Sequence, residues 1–81
     1  MGNGGDDLQI VVKLFATFRE GRQKIQTLEL AEGSTPEDIF KLIGLETSEV
    51  AILLINGRDG KPDSCLKSGD TLALFPPVGG G

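Results

Sequence analysis

At 81 residues the chain is one small domain. Its net charge of −4, from 8 Lys+Arg against 12 Asp+Glu, argues against the clustered basic surface that nucleic acid or an anionic membrane requires. Having no histidine and a single cysteine, it lacks the commonest general base and cannot form an internal disulfide, a multi-cysteine metal site or an iron–sulfur cluster, so no metal is expected. No apolar run approaches the roughly 20 residues of a membrane span and no signal peptide is visible, so the expected location is cytoplasmic.

Met1 to Asp7 is Gly, Asn and Asp with nothing to bury, and is expected to be a disordered extension. From Leu8 the pattern alternates. Leu8, Ile10, Val12 and Leu14 line one face, with Gln9, Val11, Lys13 and Phe15 on the other, which predicts a strand. Ala16 to Gln23 carries charges and Gly21 and reads as a turn or loop. Lys24 to Leu30 is a second strand that should close an antiparallel hairpin with the first.

Thr35-Pro36-Glu37-Asp38 opens a helix: Thr35 as N-cap acceptor, Pro36 at the first helical position, and two carboxylates in the first turn. The helix should span Pro36 to Ile43, with Ile39, Leu42 and Ile43 as its apolar stripe, Phe40 beside it, and Gly44 ending it. Leu45 to Glu49 is a connection. Val50 to Ile55, apolar on both faces, predicts an interior strand, and Asn56-Gly57 a tight turn. Arg58 to Ser68 should hold a short edge strand or loop with a helical turn near Ser64 to Leu66. Cys65 has no base beside it in sequence and reads as inert or buried. The last strand is Thr71 to Phe75, with Leu72 and Leu74 facing the core and Phe75 facing out. The elements amount to one α+β domain over 8–75, a mixed sheet of four or five strands with one main helix across it.

Residues 76–81, Pro-Pro-Val-Gly-Gly-Gly, change character. Pro76 and Pro77 fix φ and remove two donors, so the strand must stop. Gly79, Gly80 and Gly81 have no side chains to pack. This predicts a thin, flexible tail that could carry the Gly81 carboxylate about 20 Å from the body. A stiff Pro-Pro spacer before the glycines marks the tail as functional rather than as a linker. Phe75, on the outer sheet face at the tail root, is a candidate docking residue with Phe15 and Val11.

Phe75-Pro76-Pro77-Val78-Gly79-Gly80-Gly81 resembles the ending of the small subunit of molybdopterin synthase, the MoaD branch of the MoaD/ThiS family of ubiquitin-like sulfur carriers. Val12 to Glu20 is similar to that family's first strand and following loop, and Glu32-Gly33-Ser34-Thr35 to its helix entry. Ile55-Asn56-Gly57-Arg58 and Leu66-Lys67-Ser68-Gly69-Asp70 resemble its turn and its entry to the final strand. In one register the likeness runs from Leu8 to Gly81. It implies a β-grasp fold in which the first and last strands lie adjacent and parallel at the centre of the sheet.

The resemblance also implies the chemistry. An E1-like enzyme would spend ATP to adenylate the Gly81 carboxylate, and a sulfur donor would then leave a C-terminal thiocarboxylate. Gly80 and Gly81 are the reacting end. Phe75, Pro76, Pro77, Val78, Gly79 and Phe15 are the expected partner contacts. The chain would bind no cofactor and would be a carrier and co-substrate, not an enzyme. Its partners would be the E1-like enzyme and a molybdopterin synthase large subunit or, in the thiamine pathway, a thiazole synthase. A modifier joined to target lysines through Gly81, and a plain interaction domain with an incidental tail, stay open at this point.

Overall fold

The structure is a computed structural model that describes residues 7–77. Expectations for residues 1–6 and for Val78, Gly79, Gly80 and Gly81 lie outside the described residues, while Asp7, expected in the disordered extension, instead opens the first strand opposite Ala31. Five strands form one sheet: β1 Asp7–Leu14, β2 Ile25–Ala31, β3 Ile52–Ile55, β4 Arg58–Asp59 and β5 Thr71–Phe75. Their order is β2-β1-β5-β3-β4, with the one α-helix among the described residues, α1 Pro36–Ile43, packed on one face. β1 pairs antiparallel with β2 and parallel with β5, and β5 pairs antiparallel with β3. This is the expected β-grasp order, with the first and last strands side by side at the centre.

Alternation dictates the core. Leu8, Ile10, Val12 and Leu14 of β1 and Leu72 and Leu74 of β5 are buried under Ile39 and Phe40 of the helix, joined by Phe18, Leu30, Leu45, Leu53 and Leu66. The helix is too short to be stable alone and is held by this burial. Its apolar stripe differs from the expectation. Pro36, Ile39 and Phe40 are buried and Ile43 packs at the margin, whereas Leu42 is 62% exposed. Leu42 is three residues from Ile39, but Phe40 occupies the sheet-facing side and turns Leu42 towards water.

Thr35 is the N-cap, as expected, and forms a capping box with Asp38. The firm contact is the Asp38 carboxylate accepting from the Thr35 backbone N–H at 3.0 Å, while Pro36 fills the first turn without needing a donor. At the other end Gly44 takes φ 79°, and Arg22 donates to the carbonyls of Ile43 (2.9 Å), Gly44 (3.2 Å) and Phe18 (3.4 Å). One guanidinium thus satisfies helix-end acceptors that would otherwise lack partners.

The 16–23 connection is more ordered than a loop, containing a 3-10 turn over Ala16–Arg19 that buries Phe18. A second 3-10 turn, Thr47–Glu49, lies in the helix-to-β3 connection. Asn56 and Gly57 adopt φ 55° and 81°, the double left-handed turn that a tight hairpin needs, and they join β3 to β4. No helical turn forms at Ser64 to Leu66. The Ser64 N–H closes a turn on the Lys61 carbonyl at 3.0 Å, and the Leu66 N–H goes to the Ser34 carbonyl at 3.0 Å, so nothing continues a helical ladder. Leu66 is buried by that link, while Cys65 beside it is exposed, not buried.

Candidate functional site

β5 delivers the tail from the middle of the sheet. Its last two residues are held, one from each side: the Phe15 N–H donates to the Leu74 carbonyl at 3.3 Å, and the Ala51 N–H donates to the Phe75 carbonyl at 2.9 Å. Pro76 is buried and Pro77 exposed. The chain therefore stays against the body through Pro76, one residue further than the end of the strand.

Around this root the outer sheet face is apolar. Phe15 follows β1 in extended conformation (φ −127°, ψ 156°) and so keeps the outward phase of Val11 and Lys13. Its ring stacks on Phe75 with centroids 4.3 Å apart and planes 8° from parallel. Such a pair adds about 0.5–1.5 kcal/mol beyond area burial and fixes both rings, so Phe75 arrives at the tail root in a defined position. Ile52 lies opposite Phe75 across the β3–β5 ladder and is 48% exposed. Leu54 and Ala73 form the next row, with Lys13 on the far side of Ala73. Val11 shares the face but pairs with Thr71, two rows away from the stack.

The charge at the root is set by Arg19. Its Nε donates to the Leu14 carbonyl at 2.9 Å, and its guanidinium carbon lies 5.3 Å from the centroid of the Phe15 ring. The chain reaches that position by a sharp bend at Ala16, whose φ of 56° is unusual for a residue with a side chain. A non-glycine residue held there stores of order 1–3 kcal/mol, and such strain tends to cluster where geometry matters.

The structure thus brings Phe15, Phe75 and Pro76 together and leaves Pro77 facing solvent, while Val78, Gly79, Gly80 and Gly81 lie outside the described residues. Two residues of the site were missed in the sequence. Ile52 had a signal, since Val50 to Ile55 is apolar in both phases and a single helix can cover only one. Arg19 had only its spacing of four from Phe15. Among the described residues no group of three or more metal-ligating side chains forms a metal site. No helix among them is long and apolar enough to cross a membrane.

A mixed sheet with a parallel central pair, one helix across it and a tail leaving the central strand defines a ubiquitin-like β-grasp protein. Within that class the chain belongs to the ThiS family, which it matches over residues 12–81. Solved structures agree. A protein assigned as subunit 1 of the molybdopterin converting factor in Pyrococcus furiosus is 30% identical, over 88% of this chain and 99% of that one, with a TM-score of 0.70. SAMP1 from Haloferax volcanii is 29% identical over 90% of this chain and 99% of its own, with a TM-score of 0.72. The HVO 2177 protein of the same organism is 26% identical over 100% of this chain and 93% of its own, with a TM-score of 0.76.

Proposed function

We propose that this protein is a sulfur carrier whose Gly81 carboxylate is activated and converted to a thiocarboxylate, and that the sulfur goes into molybdopterin. The observation that carries the reading is the built tail root. A Phe-Pro-Pro-Val-Gly-Gly-Gly segment issues from the central strand beside a stacked Phe15–Phe75 pair in a member of the ThiS family. A β-carbon near the reacting acyl group would widen the tail and limit close approach by a partner, which is the use of Gly80 and Gly81.

A carboxylate is a poor electrophile and needs a leaving group. One Gly81 oxygen attacks the α-phosphorus of ATP on the E1-like partner, expelling pyrophosphate and forming the acyl adenylate. The terminal sulfur of a persulfide then attacks the acyl carbon and expels AMP. A second thiol takes the donor's sulfur into a disulfide and releases the thiocarboxylate. The chain contributes the acyl end and the docking surface, and acts as co-substrate rather than enzyme. The root would bind its partners through Phe75, Phe15 and Ile52, with Pro77, Val78 and Gly79 passing into the partner's channel.

The molybdopterin branch is favoured by the likeness to the Pyrococcus protein. A second reading, conjugation to protein lysines through Gly81, is favoured by the similar identity to SAMP1, a small archaeal modifier protein. The test is intact mass after incubation with ATP, the E1-like enzyme of the same organism and a sulfur donor. Exchange of one oxygen for one sulfur, confined to the C-terminal peptide, is expected. Adding a molybdopterin synthase large subunit and the cofactor precursor should then yield molybdopterin. No mass change, with an E1 shown active on another carrier, overturns the carrier reading. Cellular conjugates that vanish on removal of Gly81 establish the modifier.

A further inference from the structure

Among the described residues three large apolar side chains are well exposed: Ile52 at the tail root, Leu42 on the helix, and Ile25, 60% exposed, at the start of β2. Ile25 sits on a long open sheet edge. The opposite edge of the sheet, β4, is only two residues long, a length that gives an intruding strand little to pair with. β2 runs for seven residues without proline and pairs with β1 alone.

The ladder fixes which backbone groups are open. The Leu14 N–H donates to the Lys24 carbonyl at 2.8 Å, which makes that pair a hydrogen-bonded one. Bonded and non-bonded pairs alternate in an antiparallel ladder. Gln26, Leu28 and Leu30 therefore bond inward to β1, and Ile25, Thr27 and Glu29 point their N–H and C=O groups away from the sheet. The equivalent outward groups of β1 are used by β5 and its approach: Val11 N–H to the Asp70 carbonyl at 3.0 Å, and Gly69 N–H to the Gln9 carbonyl at 2.8 Å. Among the described residues the corresponding groups on β2 meet no partner, save the Ala31 carbonyl, which accepts from Ser34.

We propose that the β2 edge takes up an extended segment of a partner protein as a sixth, antiparallel strand. The segment has a basic residue facing Glu29 and an apolar residue, four positions later, facing Ile25. The side-chain pattern selects this occupant. Ile25, Thr27 and Glu29 are all exposed and share one face, giving an apolar contact, a neutral position and a negative charge in that order. Glu32, just past the strand, is also exposed and adds to the acidic end. A second copy of this chain is a poor occupant. Self-pairing about Leu28, the fullest antiparallel overlap of 25–31, would set Ile25 against the other copy's Ala31, whose carbonyl already accepts from Ser34, and Glu29 against Thr27, leaving both copies' carboxylates close together and unpaired. This proposal does not depend on the sulfur-carrier reading.

The probe is the peptide acetyl-Thr-Lys-Val-Thr-Ser-Ile-Thr-amide, which places Lys opposite Glu29 and Ile opposite Ile25, titrated into the isotope-labelled full chain. The amide signals of Ile25, Thr27 and Glu29 should move most and gain protection from hydrogen exchange. The same peptide with Glu in place of Lys should bind more weakly. Glu29→Lys should reverse that preference by about two- to five-fold in each direction. Thr27→Pro removes an outward N–H and leaves the β1–β2 ladder intact, so it should abolish binding while Gln26 and Leu28 amides stay protected. The charge-reversal pair tests the idea separately if the proline variant fails to fold. Unmoved edge amides, shifts centred on Phe15 and Phe75, equal affinity for both peptides, or self-association through the edge without peptide would each overturn it.

Discussion

The two faces of β5 do different work with neighbouring residues. Leu72 and Leu74 are fully buried under the helix, and the residues between and beyond them, Ala73 and Phe75, are only half-buried on the open face. One face supplies folding energy and the other leaves apolar area open to solvent. The difference teaches that apolar character alone does not define this core: Phe75 and Ile52 are as apolar as Leu74 but lie on the open face.

Leu74→Ala should break the comparison hardest on the stability side. A side chain lost from a packed core costs about 2–5 kcal/mol, to be read as a fall in the midpoint of urea unfolding. Gly60→Ala comes next. Its β-carbon would lie 2.6 Å from Ile55 Cδ1 and 2.8 Å from Leu53 Cδ2, beneath β3, so crowding should cost about 1–3 kcal/mol by the same measurement. Phe75→Ala sharpens the contrast. Its stability cost should be smaller, about 1 kcal/mol from the lost stack. Affinity for the E1-like enzyme should fall by about ten-fold or more in a calorimetric titration, as for a central aromatic anchor. Leu42→Ser marks the floor. On an exposed helix position away from both faces, it should alter stability by no more than about 0.5 kcal/mol and leave partner affinity unchanged.

Much of this architecture was legible because alternation and turn chemistry are local. Leu8 to Leu14, Thr71 to Phe75 and the Pro36–Ile43 helix with its Gly44 stop are written in spacing and capping residues, and the structure places them there. Leu42 was misread because a short helix has several defensible stripes, and only the position of Phe40 against the sheet chooses among them. The 64–66 segment was misread because the Leu66 N–H is claimed by Ser34, a partner 32 residues earlier (66 − 34) that no local pattern announces. At the tail root, Phe75 could be assigned outward from strand phase. Its stack with Phe15 and the Arg19 guanidinium nearby depend on the Ala16 bend, which propensity disfavours.

The parallel β1–β5 pair joins residues 60 positions apart, as in Leu14 against Leu74 (74 − 14). The strand that leads to the tail is therefore also the one that stitches the β1–β2 hairpin to the β3–β4 hairpin. Loops of that separation close late and slowly, because the entropy of closure is lost before the contacts form. During synthesis the residues of both hairpins are made before those of the strand that unites them, and the sheet has no middle until β5 joins it. Presentation of the carrier end is in this way coupled to completion of folding: a partner that grips the Phe15–Phe75 surface would meet only chains whose sheet has already closed.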